Sequence, residues 1–408
     1  MARLAQKSKT SIIKDIPEQR MDKKYNILMY SHDTYGLGHI RRTMAIASQL
    51  KAEGVNILIM TGSPLVGRFE FPEQIDFVRI PGMIKKSNDV YVPHSIKIDP
   101  IHAMTIRQSI IDATARSFKP DLFIVDKAPR GLKSEIMPTL EWMKAEGKTK
   151  TVLGLRDIMD DSKSTIEDWQ QKGIYDVLEN LYSEIWVYGH KEFYNPVTEY
   201  AIPDSVSKKM IFTGYIPRRK HSKNKVCKAR NCKKTVVITA GGGGDGYPLM
   251  DTFLKAMENH GEQEFNAVMV TGPFMPKEQR LDLARRAKKL SVTFYHFYRR
   301  MEKLFSNADL VVSMGGYNTI CEILSHKQVS LIVPRETPRL EQTIRANVLK
   351  EQKLADFLPW HDLEQEALLE KIHHLLNNSM EIRQAVNSFK FTGLDVMHER
   401  VKLFKKSI

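Results

Sequence analysis

The stretch Ser313–Glu322, which reads Ser-Met-Gly-Gly-Tyr-Asn-Thr-Ile-Cys-Glu, limits what this chain can fold into more than any other. An apolar, β-branched run, Ala308-Asp-Leu-Val-Val312, precedes it and predicts a buried strand. Gly315 and Gly316 break that strand, and Asn318 or Thr319 can cap a helix running through Ile320, Ile323 and Leu324. A strand, a glycine turn and a helix N-terminus together make an anion site. The first backbone N–H groups lack partners, the dipole is positive there, and glycine lets a phosphate come close. Glu322 follows on the helix at a reach suited to a pair of sugar hydroxyls. Diphosphate beside ribose is the outline of a nucleotide sugar.

The same design recurs along the chain. Tyr25–Tyr30 reads as a strand that opens into Gly36-Leu-Gly-His39. A helix with Ile40, Met44, Ala47 and Leu50 on one face follows, and Val55–Met60 is the next strand. This is a βαβ unit, which calls for a parallel sheet with a right-handed crossover. Ile75–Ile80, Asp121–Val125, Lys150–Leu155, Ile185–Tyr188 and Met210–Thr213 extend it to a first domain of about six strands. Ile101–Phe118 reads as a helix and residues 83–98 as a long loop or mobile segment. Thr235–Thr239 then starts a second set, opening into Ala240-Gly-Gly-Gly-Gly-Asp-Gly246 before a helix over Pro248–Asn259. Its further strands are 267–270, 292–294, 310–312 and 331–333.

The expected fold class is therefore α/β, with two Rossmann-like doubly wound domains facing across a ligand cleft. Residues 1–24 read as a flexible basic arm, 25–213 as the first domain, 214–234 as a basic linker and 235–408 as the second domain. A last helix around Val396–Lys405, apolar at Val396, Val401 and Phe404, is expected to pack back on the first domain.

A chain of 408 residues suits two domains of about 150–200 residues each. No apolar run approaches the roughly 20 residues of a membrane span, and the polar N-terminus lacks a secretory core. Three cysteines imply no disulfide framework, so the expectation is a cytoplasmic protein. The net charge of +14 is concentrated: nine Lys or Arg and no acid lie between Arg218 and Lys234. Such a local run is either a solvated loop or a contact for anionic lipid or polyphosphate. Zinc-finger spacing and an RRM-like aromatic signature are both missing, which argues against nucleic acid as a partner.

The pattern resembles the glycosyltransferase B-fold (GT-B) enzymes, and specifically the MurG-like, family 28 type that moves N-acetylglucosamine from UDP onto a lipid-linked acceptor. The similarity is carried by Thr293-Phe-Tyr-His-Phe297, by Ser313–Glu322, by Pro334-Arg-Glu-Thr-Pro-Arg-Leu-Glu-Gln342 and by Gly36-Leu-Gly-His39. The resemblance implies that Glu322 holds the ribose diol, while Gly315, Gly316, Asn318 and Thr319 face the diphosphate. Phe297 or His296 would lie along the nucleobase, and Glu341 and Gln342 would contact hydroxyls of the donor sugar. Gly241, Gly242, Gly243 and Gly244 would let the second domain's first loop approach the phosphates. His39 falls at the position of the general base, beside Gly36 and Gly38 on the acceptor side.

From the residues themselves, Asp126 and Arg156 end parallel strands, where sites form, and are acceptor-side candidates. An imidazole suits the acceptor proton, and a helix N-terminus suits the leaving diphosphate. No Asp-x-Asp pair sits at a strand end, so neither a metal nor a cofactor beyond the donor is expected. The activity implied is inverting sugar transfer from a UDP-linked hexose or N-acetylhexosamine to an acceptor hydroxyl of unknown identity. A hydrolase or 2-epimerase of the same fold, or a non-catalytic sensor of nucleotide sugars, are the alternatives. Peripheral contact with an anionic membrane is a further candidate, through the basic segment or through residues 83–98.

Overall fold

The computed structural model describes residues 24–32, 38–87, 90–218, 233–261 and 263–407. Gly36, the arm before Lys24 and most of the basic segment lie outside them. Two parallel sheets dominate. The first contains β1 (Tyr25–Ser31), β2 (Val55–Thr61), β3 (Ile75–Arg79), β6 (Leu122–Asp126), β7 (Lys150–Arg156), β8 (Glu184–Tyr188) and β9 (Met210–Phe212). The second contains β10 (Lys234–Thr239), β11 (Phe265–Val270), β12 (Thr293–Tyr295), β13 (Leu310–Ser313), β14 (Ser330–Ile332) and β15 (Asp356–Phe357).

Strand order is β3-β2-β1-β6-β7-β8-β9 in the first sheet and β12-β11-β10-β13-β14-β15 in the second. The order reverses between β1 and β6, and again between β10 and β13. In a doubly wound sheet a crevice opens at that point, outside the strands' C-terminal ends. It therefore collects the loops after β1 and β6 in one domain, and those after β10 and β13 in the other. These loops lead into or contain His39, Asp126, Gly241–Gly244 and Gly315–Gly316.

The central strands are buried on both faces, which their apolar runs dictate. The helix over Gly38–Leu50 buries Ile40, Met44, Ala47 and Leu50, the stripe read from its period. The last helix, Gly393–Lys406, crosses back to the first domain, where Met397, Val401 and Phe404 join the core of β1, β2 and the Gly38–Leu50 helix. Burying three such side chains contributes about 1.5–3 kcal/mol each. Arg400 adds an ion pair to Glu184 at the start of β8.

Several expectations need correction. The first sheet has seven strands, one for each of the seven apolar runs named above, rather than about six. Residues 83–98 are not simply a loop, because β4 (Met83–Ser87) and β5 (Val90–Pro93) pair as an antiparallel hairpin. Met83 is buried there against Ala103 and Leu132, which anchors the hairpin to the Pro100–Phe118 helix. The helix after the glycine turn starts at Tyr317 with Gly316 at its cap, so neither Asn318 nor Thr319 caps it. Met397, not Val396, is the fully buried residue of the last helix. Helices over Ser162–Gln171 and Ile174–Leu181 were not anticipated, nor was β15, whose two residues carry no period.

Candidate active site

On the first domain, His39 is the second residue of its helix and faces the end of β6. Its Nδ1–H donates to Asp126 Oδ2 at 2.5 Å, leaving Nε2 with its lone pair. Arg42, one turn along the same face, holds the other side of that carboxylate. Its Nε and Nη2 donate to Oδ1 at 2.9 and 2.8 Å, and Nη2 also reaches Oδ2 at 2.9 Å. Burial works to raise the Asp126 carboxyl, but Arg42 and then His39 outweigh it and hold the group well below the usual carboxylate range. Burial pushes the His39 imidazole down against the pull of Asp126, to about 4. At neutral pH the dyad is a carboxylate beside a neutral imidazole, the protonation state of a general base.

A second histidine stands beside the first. The rings of His32 and His39 meet edge to face at 5.9 Å. Tyr30 Oη lies 3.5 Å from His32 Nδ1 and donates to Glu135 Oε1 at 2.6 Å, while Glu135 is paired with the buried Arg107. The wall behind the dyad is thus a fixed polar network.

On the second domain, Gly241–Gly244, Gly316, Thr319 and Gln342 line a cleft of about 440 Å³, together with Phe274, Asp245 and Arg335. The glycine loop is tight for a reason. Gly243 has φ +92°, and a Cβ there would lie 2.1 Å from the Thr271 carbonyl oxygen. Gln342 Oε1 accepts from the Arg335 backbone N–H at 3.1 Å, and Arg335 pairs with Asp245 at 2.6 Å.

The two halves touch at Gly38. A Cβ on Gly38 would lie 2.3 Å from Asn318 Nδ2, the tip of a side chain that would have to swing aside to make room. The residue expected on the acceptor side is therefore a contact between domains. Asn318 Oδ1 accepts from Arg218 Nη2 at 2.6 Å. Glu322 stands 3.9 Å from Arg218 and 3.7 Å from Arg41, too far for hydrogen bonds. Its carboxylate keeps 20 % of its side-chain surface exposed, with its acceptor sites uncommitted to either arginine.

Arg156 ends β7 and pairs with Glu341 across the domains at 3.2 Å, and Glu341 also meets Arg335 at 3.4 Å. Burial would raise the Glu341 carboxyl, but Arg156, Arg345 and Lys127 hold it down to about 2. Arg345, with no exposed surface, donates to Gly315 O and to Ile158 O at 3.2 Å each, tying the glycine turn to the first domain. His296 ends up beside Arg280, whose Nη1 lies 2.8 Å from Nε2, and Phe297 is 45 % exposed at the same loop.

Sequence reasoning brought Gly241–Gly244, Gly316, Thr319 and Gln342 to one cleft, and His39, Asp126 and Arg156 to the facing strand ends. It missed Arg42, Lys127, Arg218, Arg335 and Arg345. The spacing of His39 and Arg42 on one helix face was a signal for Arg42, and Arg335 and Arg218 lay inside the Pro334–Gln342 motif and the Arg218–Lys234 run already singled out.

Residues 235–400 match the model of the glycosyltransferase family 28 C-terminal domain. Among solved structures, MurG of Acinetobacter baumannii superposes with a TM-score of 0.60 at 14 % identity, over 94 % of this chain and 99 % of that one. A UDP-glucosyltransferase of Polygonum tinctorium superposes with a TM-score of 0.64 at 10 % identity, over the same shares. The chain has the glycosyltransferase B fold, with a MurG-like C-terminal domain. In sequence, the GT-B chain is 27 % identical over 164 residues to the Streptococcus uberis UDP-N-acetylglucosamine–N-acetylmuramyl-(pentapeptide) pyrophosphoryl-undecaprenol N-acetylglucosamine transferase. That match covers 38 % of this chain and 46 % of the relative, so the chain spans about half the length of the curated relatives it matches. No helix among the described residues is long and apolar enough to cross a membrane.

Proposed function

We propose that this protein transfers a sugar from a nucleoside diphosphate donor, UDP-linked, to an acceptor hydroxyl with inversion. The observation that carries the reading is the His39–Asp126 dyad, set one residue from the place where Gly38 meets Asn318 in the first turn of the Tyr317–Ser325 helix. His39 Nε2 takes the acceptor proton as the acceptor oxygen bonds to the anomeric carbon. The bond from that carbon to the diphosphate breaks, and its electron pair leaves on the phosphate oxygen. Asp126 holds the imidazole tautomer and stabilises the imidazolium that forms.

The leaving diphosphate is met by the N-terminus of the Tyr317–Ser325 helix, by the Gly241–Gly244 backbone and by the cationic Arg218 and Arg335. This needs no metal or cofactor. Glu322 takes the ribose diol, Glu341 and Gln342 take sugar hydroxyls, and Phe297 with His296 borders the base. The acceptor enters from the first domain, where Val90, Ile96 and Ile101 are exposed beside the hairpin. An anionic membrane surface is a candidate source of acceptor, tested by salt-sensitive binding to anionic vesicles.

The test of function is UDP release from a panel of UDP-sugars, together with the melting temperature in their presence. A donor at 100 times its Kd adds about 2.7 kcal/mol of apparent stability. No stabilisation by UDP or any UDP-sugar would sink the proposal. UDP release at full rate without an acceptor would instead mark a hydrolase.

A further inference from the structure

The helix Glu341–Glu351 carries Glu341 and Gln342 in its first turn, yet its own sequence gives it no side-chain cap. A helix leaves its first four backbone N–H groups without intrahelical partners. Leu340, at the N-cap, has no side-chain oxygen to accept them. Thr343, where a capping box would place Glu or Gln, instead turns its hydroxyl to the Arg335 carbonyl oxygen at 3.4 Å. The missing acceptor comes from the other domain. Asp160 Oδ1 accepts the Leu340 N–H at 2.8 Å, and a carboxylate at that end also meets the positive pole of the helix.

Asp160 is held for this contact. Its loop leaves the end of β7, and Asp157, fully buried there, accepts from Tyr215 Oη and from the Ile158 N–H at 2.8 Å each. Tyr200 Oη accepts from the Met159 N–H at 3.0 Å and donates to the Asp160 carbonyl oxygen at 3.1 Å. The same strand end and loop reach the same helix again through Arg156 with Glu341 and Ile158 O with Arg345, both at 3.2 Å. Arg339 stands 3.7 Å from Asp160 with 45 % of its side chain exposed, so its attraction adds little. The cap, rather than the charge pair, is what Asp160 supplies.

We infer that Asp160 is a positioning residue for the donor sugar: it caps the Glu341–Glu351 helix from the first domain and so aligns Glu341 and Gln342 with the sugar hydroxyls. This rests on the transferase reading above, which gives those two residues to the sugar. Asp160 acts through the helix, not on the donor. Because cap and helix belong to different domains, the sugar end of the cleft is set where the domains meet. The nucleoside end, around Glu322 and Phe297, is independent of Asp160.

The test uses the full chain with three single substitutions. Asp160→Ala removes the cap, and Asp160→Asn keeps an acceptor oxygen without the charge. Asp161→Ala removes a cap that stays within the first domain, where Asp161 Oδ1 accepts the Ser164 N–H at 2.9 Å. Binding of UDP, UDP-glucose and UDP-N-acetylglucosamine is measured by calorimetry, with thermal unfolding to show that each variant is folded. Asp160→Ala is expected to bind the UDP-sugars about ten-fold more weakly, the worth of one helix cap, with UDP affinity within about two-fold of the parent. Asp160→Asn is expected to restore most of that difference. Asp161→Ala is expected to leave the affinity for both UDP and the UDP-sugars unchanged. A merely structural Asp160 would not show that contrast. The inference alone is overturned if the parent binds a UDP-sugar and Asp160→Ala weakens UDP and UDP-sugar equally, or neither, or if Asp161→Ala reproduces its effect. A parent that binds neither UDP-sugar overturns the nucleotide-sugar reading, and this inference with it.

Discussion

Replacing Asp126 by Asn separates what that carboxylate does for the fold from what it does for the chemistry. Arg42 is 2 % exposed and spends three contacts of 2.8–2.9 Å on Asp126. Asn keeps the shape but strands a buried guanidinium. Breaking such a pair costs about 3–5 kcal/mol. The amide also cannot accept the His39 Nδ1–H as a carboxylate does or balance the imidazolium, which lowers turnover by about 10²–10⁴-fold. The two effects come apart in the double variant with Arg42→Met. Arg42 lies 5.5 Å from the Tyr188 ring centroid and 5.8 Å from that of Tyr317, so a methionine can fill the same slot. The double variant is expected to regain most of the lost stability in urea or guanidinium unfolding, yet to stay as slow as Asp126→Asn in UDP release. Two results would refute the reasoning: Asp126→Asn within about 1 kcal/mol of the parent, or turnover restored by Arg42→Met.

Four further outcomes are expected. His39→Ala should keep UDP affinity and lose about 10²–10⁴-fold in kcat, whereas Glu322→Ala should weaken UDP binding about ten-fold; equal loss of binding in both contradicts the division of labour. With the neutral imidazole as the proposed base, activity is expected to fall as pH drops through the folded value of about 4 for His39, rather than through the ordinary 6.5; an acid limb of kcat/KM centred near 6.5 would refute the buried dyad. The same shift makes stability fall between pH 6.5 and about 4, where the unfolded chain takes up a proton that the native state refuses; a flat unfolding midpoint across that window would count against it. Gly38→Ala puts a Cβ 2.3 Å from Asn318 Nδ2, so the Asn318 amide must swing aside and give up its hydrogen bond from Arg218, a loss of about 1–3 kcal/mol. Donor KM should rise about ten-fold, and unchanged kinetics would show that the contact does not form.

The sheets were legible because strands buried on both faces must be continuous apolar runs, as in Leu28, Phe123 or Val311. Their order was not, since β1 pairs with β6 through residues some ninety positions apart. Yet that order explains why His39 and Asp126 meet. The glycine loops were legible because few residues replace glycine where φ is positive, as at Gly241, Gly243 and Gly315. The cap of the Tyr317–Ser325 helix was misread because Asn318 is taken up by Arg218. The hairpin over 83–93 was misread because its short strands carry lysines in place of a clean alternation. The arginines stayed invisible for a simpler reason. Among many surface cations, nothing local distinguishes Arg42 or Arg345 from Arg285, which is 70 % exposed; only the partner reached across the fold does.

The two acids that the family resemblance assigned to substrate hydroxyls are prepared in opposite ways. Glu341 is held by Arg156 from one domain and by Arg335 from its own, and Arg335 is fixed in turn by Asp245 of the glycine loop. A carboxylate has about four acceptor sites, so these two ion pairs leave room for sugar hydroxyls while fixing the plane that receives them. The glycine loop of one domain and the end of β7 in the other are thereby joined through Glu341. Glu322 has only the long-range attraction of Arg41 and Arg218, so in the proposed role its hydrogen bonds would form with the ribose rather than before it. Under the proposed roles the sugar end of the cleft would be set before the donor arrives, and the ribose end would become ordered with it. On that basis the sugar end is where specificity is expected to reside, because misplaced hydroxyls would leave Glu341 and its cations unsatisfied, whereas an altered ribose would lose only contacts not yet made.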